Sequence, residues 1–118
     1  MRNYKELVVW QEAIELVKAV YAITRKLPPE ERYALADQMR RAVVSIPSNI
    51  AEGHDRHSNN EFRHFLTIAK GSAAELDTQL VICKELQYIS EEELAAVVAL
   101  CSRLRARLYR FMAALEAK

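Results

Sequence analysis

Glycine occurs only twice and proline only three times in the 118 residues of this chain. So little turn chemistry argues against an all-β fold with frequent tight reversals and favours a few long elements. With two cysteines there is no disulfide framework, and Cys83 and Cys101 read as free, buried thiols behaving as small hydrophobes. The sequence contains no GxSxG elbow, no phosphate-binding glycine loop and no HExxH helix, so catalysis has no visible equipment. No apolar run approaches membrane length. The first apolar stretch, Leu7 to Trp10, is too short for a signal peptide, which gives the expectation of a cytoplasmic protein with no membrane partner. An excess of one charge is also missing: 17 basic against 16 acidic residues leave a net charge of +1. The whole molecule therefore has no strong field to draw in nucleic acid, and any such binding must come from local patches. What is plentiful is apolar residues, 51% of the chain, slightly more than one ordinary soluble domain needs. The surplus suggests a second buried surface.

The apolar periodicity predicts four helices in one domain spanning residues 1–118. The first is expected to start between Asn3 and Val8 and to run to about Lys26. It carries two adjacent stripes, Val9, Ala13, Leu16, Val20, Ile23 and Trp10, Ile14, Val17, Tyr21. Pro28-Pro29 ends it and opens a second helix from about Glu30 to Glu52, where proline and acids suit a first turn. Ser58 and Glu61 have capping-box spacing and start the third helix at Asn59, which should end near Tyr88 or Ile89. It too has two stripes: one runs Phe62, Leu66, Ala69, Ala73, Leu76, Leu80, Cys83, and the other includes Phe65, Ile68, Ser72, Gln79, Ile82 and Leu86. Ser90 and Glu93 form a second capping box. In the fourth helix Leu94, Val97, Cys101, Leu104, Leu108, Phe111 and Leu115 alternate by three and four, as in a near-parallel bundle. The predicted fold is all-α, an up-down four-helix bundle.

The stretch QMRRAVVSIPSNIAEG, 38–53, departs from a plain helix. Its apolar face, Leu35, Met39, Val43, Ile46 and Ile50, stays in phase across Pro47, which predicts a continuous but proline-kinked second helix. Ser45, Ser48 and Asn49 can bond locally or reach a neighbouring helix. Gly53, after Glu52, is expected to end the helix in the left-handed conformation. Gly71, beside Ser72 in the third helix, costs ~1 kcal/mol of helix propensity, and close approach of the kinked helix is the expected reason.

These residues carry a resemblance. SIPSNIAEG (45–53), the helix EFRHFLTIAKGSAAELDTQL (61–80), the YI before Ser90 and the opening LVVWQEA (7–13) resemble the bacterial four-helix-bundle proteins first noticed as reading frames inside 23S rRNA intervening sequences. The likeness covers nearly the whole chain, and SIPSNIAEG with a downstream GS-x-x-EL is its specific part. On this resemblance Ser45, Pro47, Ser48, Asn49, Glu52, Gly53, Gly71 and Ser72 form a structural motif. The family is also similar to the accessory variability determinants of diversity-generating retroelements, which form barrel-shaped pentamers and contact a reverse transcriptase and RNA. The resemblance implies a ring-shaped homo-oligomer, most simply a pentamer, and no enzymatic activity.

Two polar constellations remain. Glu61 and His64 have the Glu-x-x-His spacing of di-iron bundles, but no second pair completes a site, and Glu61 has a capping role. His54, Asp55 and His57 read as solvated connection residues. No metal or other cofactor is expected, and the alternative of a small enzyme or metal-dependent hydrolase would have to use the Glu52–His64 cluster. The arginines form two patches: Arg103, Arg107 and Arg110 on one face of the fourth helix, and Arg40, Arg41, Arg56 and Arg63 around the central helix and the connection after it. Either could contact phosphates or a nucleic-acid-processing protein. For a single chain, the plainer account is a solvated face with Glu/Arg pairs across helices. The function expected is a non-catalytic homo-oligomeric scaffold that contacts RNA or such a protein partner.

Overall fold

Each of the four long helices buries one stripe against two neighbours. The structure, a computed structural model, describes residues 3–116. After a 3-10 turn at Tyr4–Glu6 come α1 (Val8–Thr24), a second 3-10 turn at Pro29–Glu31, α2 (Leu35–His54), α3 (Asn59–Glu85) and α4 (Glu91–Glu116). α1 packs on α2 and α4, and α3 packs on α2 and α4, with no diagonal approach across the bundle among the described residues. At 1.5 Å per residue, α3 is roughly 40 Å long, so it runs nearly the full 46 Å of the longest dimension. Long elements aligned with that axis are what an up-down bundle requires.

One core cluster is formed by the first stripe of every helix. Leu16 and Val20 from α1, Met39, Val43, Ile46 and Ile50 from α2, Leu66, Leu76 and Leu80 from α3, and Cys101, Leu104 and Leu108 from α4 are all fully buried. α2 runs unbroken through Pro47, and its apolar face stays in phase on both sides of it. The two thiols are free and buried. Cys83 Sγ lies 3.5 Å from Met39 Sδ, and Cys101 Sγ lies 3.4 Å from the Ala73 carbonyl.

Both serines cap their helices, but only the second capping box closes. The Ser58 hydroxyl accepts from the Glu61 N–H at 3.1 Å. At the head of α4 the exchange is reciprocal: Glu93 N–H to Ser90 Oγ at 3.1 Å, and Ser90 N–H to Glu93 Oε1 at 2.9 Å.

Several predicted boundaries move. The second helix does not begin at Glu30, because Arg32, Tyr33 and Ala34 separate the 3-10 turn from α2. Those three residues are exposed and bring nothing apolar to the core, so packing does not hold them in a helix. Glu31 instead caps α2 from upstream by accepting from the Leu35 N–H at 3.3 Å, while its other oxygen accepts from the Tyr88 hydroxyl at 2.8 Å. α1 stops at Thr24, short of Lys26. α3 stops at Glu85, short of Tyr88, because Gln87 takes a φ of 67°. The Tyr88 N–H then bonds the Cys83 carbonyl at 2.8 Å and the Gln87 N–H bonds Lys84 at 2.9 Å, the pattern of a Schellman stop. That reversal turns Ile89 into the core.

Candidate interaction surfaces

The central motif forms the seam between α2 and α3. Ser45 Oγ and Ser72 Oγ are 2.9 Å apart, joining the helices midway. Asn49 Nδ2 donates to both the Ser45 carbonyl (2.8 Å) and Ser45 Oγ (2.9 Å), so it positions the serine for that contact. Pro47 is buried on the other side of α2, facing α1. Ser48 is exposed, and Glu52 pairs with Arg56 at 2.8 Å.

The two glycines exchange their expected roles. Gly53 does not adopt positive φ, and α2 continues through it to His54. A Cβ there would lie 2.8 Å from Phe62 Cδ1 and 2.8 Å from Phe65 Cβ, so Gly53 is where the start of α3 comes close to α2. Gly71, expected at a close approach, is exposed, and a Cβ there would meet nothing within 4 Å. Position along the helix could not separate the two. The aromatic pair at Phe62 and Phe65, one turn after a capping box, was the available sign that something small must face it.

Two apolar faces are left over. Between α1 and α2 an apolar groove of about 360 Å³ is lined by Trp10, Ile14, Val17, Val44, Pro47 and Ala51. Tyr4 stands edge-on to Trp10 at 5.6 Å at one end of it. On α3, Ile82 and Leu86, one turn apart, are exposed, Ile82 to 40%; Val81 is exposed on another side of the helix, and Ile68 roughly 20 Å back along it. Other residues of the second stripes are half covered within the chain. The Arg40 guanidinium lies 5.8 Å from the Tyr21 ring and that of Arg56 lies 4.7 Å from Phe65. Gln79, also on the second stripe of α3, is only 4% exposed, and its Oε1 has no hydrogen-bond partner.

Most of the singled-out arginines have partners. Arg107 Nε donates to Glu12 Oε1 at 2.8 Å, tying α4 to α1, as its neighbour Arg105, outside both patches, ties α4 to Asp77 of α3 at 3.7 Å. Arg41 pairs with Asp37 at 3.0 Å, and Arg63 lies 3.6 Å from Glu116. Arg103 and Arg110 are exposed and have no ion pair among the described residues. Arg40 and Arg41 lie in the first half of α2, whereas Arg56 follows its other end and Arg63 sits on α3 level with Gly53, roughly 20 Å further along the axis. These four therefore make two separate sites.

Glu61 is engaged with Ser58, and His64 is exposed, edge-on to Phe65 at 5.5 Å. His54 is edge-on to Phe62 at 5.9 Å, while Asp55 and His57 are exposed. Among the described residues no group of three or more His, Cys, Asp or Glu is arranged to hold a metal ion. No helix among the described residues is long and apolar enough to cross a membrane.

A family model described as 23S rRNA-intervening sequence protein matches residues 5–110. The fold is similar to the crystal structure, at 1.70 Å resolution, of a protein of unknown function from the S23 ribosomal protein family of Bacteroides thetaiotaomicron VPI-5482. The TM-score is 0.83 and the identity 23%, over 89% of this chain and 98% of that one. At that identity the likeness bears on the fold alone. No curated protein sequence matches the chain.

Proposed function

This chain belongs to the 23S rRNA-intervening sequence protein family, and we propose that it is a non-catalytic scaffold that assembles with copies of itself into a ring. The observations that carry this reading are the apolar groove between α1 and α2 and the exposed apolar pair Ile82 and Leu86, one turn apart on α3. Apolar surface left uncovered on a small domain marks a contact region. A ring built head to tail uses two different patches on each chain, and a groove with a ridge elsewhere on the molecule meets that need. A pentamer is the copy number suggested by the resemblance to the accessory variability determinants, since apolar faces cannot count subunits.

The assembled ring would present Arg103 and Arg110, which have no ion pair among the described residues, to the phosphates of RNA, or to a nucleic-acid-processing protein, once per subunit. Repetition raises avidity without any new contact. Arg107, tied to Glu12, would hold α4 in place rather than reach a ligand.

Light scattering tests the assembly. The expected result is a mass several times the 13.5 kDa of one chain, reduced to the monomer by Val44→Glu in the groove and separately by Ile82→Glu on the ridge, with helical content unchanged. A monomeric wild-type protein would overturn the scaffold reading. A dimer or tetramer would remove only the pentamer.

A further inference from the structure

Three guanidinium groups with no carboxylate partner among the described residues line one hollow, where α1 gives way to the Pro28-Pro29 turn. The hollow encloses about 330 Å³, and its walls include Thr24, Arg25, Pro28, Pro29, Arg32 and Arg40. No acid is among its lining residues. Arg25, Arg32 and Arg40 have no ion pair among the described residues. The nearby acids are engaged elsewhere: Glu31 with Tyr88 and the Leu35 N–H, Asp37 with Arg41, and Glu93 with Lys26. Glu30 is exposed and forms no part of the wall.

Arg40 is held in place for this role. Its Nε donates to Thr24 Oγ1 at 3.1 Å, and Thr24, itself 3% exposed, donates onward to the Tyr21 carbonyl at 3.0 Å. The threonine hydroxyl is therefore fixed as a donor to the carbonyl and as an acceptor from Arg40. The guanidinium also rests near the Tyr21 ring. Its two terminal nitrogens have no acceptor among the described residues and are already oriented, which lowers the cost of ordering them on a ligand. The carbonyl end of α1 lies nearby and opposes an anion, but with the equivalent of only about half a charge against three full positive ones. A larger hollow at the α3–α4 turn, about 580 Å³, lacks this character: its Lys84 is set among Glu85, Glu91 and Glu93.

We propose that the Arg25–Arg32–Arg40 hollow binds the phosphate group of a small phosphorylated ligand, a phosphomonoester or diphosphate. Guanidinium forks match phosphate oxygens in pairs, and three of them balance a group carrying about two negative charges or more. The volume lies at the small end of ligand sites, enough for a phosphate group and a modest attached moiety. The site is distinct from Arg103 and Arg110 and does not depend on the assembly.

Isothermal titration of the full-length protein with inorganic pyrophosphate at low salt tests this. The expected result is saturable binding at one site per chain, weakened at least tenfold by the exposed pair Arg25→Gln/Arg32→Gln and also by Arg40→Gln, and unchanged by Arg103→Gln/Arg110→Gln. Melting curves of the variants confirm that they are folded, and the exposed pair keeps the test valid if Arg40→Gln is unstable. Absence of saturable binding, or equal binding in the Arg25/Arg32 variant, would overturn the proposal. So would equally strong displacement of pyrophosphate by a 5′-hydroxyl oligonucleotide, because the arginines would then be reading backbone phosphodiesters.

Discussion

Adding one methyl group at Gly53 or at Gly71 should move stability in opposite directions. At Gly53 the new Cβ would sit 2.8 Å from atoms of both Phe62 and Phe65, and one of these, Phe65 Cβ, is fixed to the backbone. Gly53→Ala is expected to cost about 1–3 kcal/mol, the range for overpacking. Gly71→Ala meets nothing and adds a better helix former to an exposed turn of α3, so it should gain about 1 kcal/mol. Urea unfolding of both variants checks this, and two shifts of the same sign would refute the assignment. The thiols are also decided residue by residue. Burial raises both Cys83 and Cys101 to about 11, well above an ordinary thiol. Both should therefore react with a disulfide reagent at pH 8 far more slowly in the folded protein than in guanidinium, where thiolate forms freely. Fast labelling of either under native conditions would show that its side of the core opens.

At the scale of elements, the turn between α3 and α4 carries the sharpest expectations. Gln87 holds a left-handed conformation that glycine adopts without penalty, so Gln87→Gly should stabilise by about 1 kcal/mol. Ser90→Ala removes the acceptor for the Glu93 N–H and should lose about 1 kcal/mol by thermal or chemical unfolding. Glu93 gives the same turn a pH dependence. Its hydrogen bond to Lys26, then that from the Ser90 N–H, hold its carboxyl below the usual carboxylate range. The unfolded chain then takes up a proton at this position first as the pH falls, so the stabilisation is complete above the ordinary carboxylate pKa. It is lost as the pH drops through the lower folded value. Wild type should exceed Glu93→Gln most at neutral pH, with the gap closing below about pH 4. A gap that widens on acidification would contradict this. Because the group is partly exposed, salt should also narrow the gap.

For the whole molecule, the arginines decide how any RNA contact should respond to salt. Only Arg103 and Arg110 of the α4 patch lack internal partners, so replacing both with glutamine should flatten the dependence of RNA affinity on salt by about two phosphate equivalents. Replacing Arg107 should instead lower stability through the loss of its pair with Glu12, with little change in that slope. An unchanged slope in the double variant, or no binding at low salt, would remove RNA from the account.

The helices were legible from apolar spacing and serine caps, because both are local signals. Val9 to Ile23, Met39 to Ile50 and Val97 to Leu108 are buried on the predicted faces, and Ser58 and Ser90 start helices as their spacing implied. The continuity of α2 through Pro47 was legible for the same reason: an apolar face in phase on both sides of the proline costs more to break than one lost hydrogen bond. Tertiary structure decided what depends on a neighbour. Which glycine meets another helix turned on the approach of Phe62 and Phe65, which no spacing along α2 reveals. Where α3 stops turned on Tyr88 reaching across to Glu31 and on Ile89 entering the core, which made a left-handed glutamine tolerable. The arginines divided in the same way. Composition counts charges, but only the packing of α1 against α4 and of Thr24 beneath Arg40 separates guanidiniums consumed within the fold from those left facing a ligand.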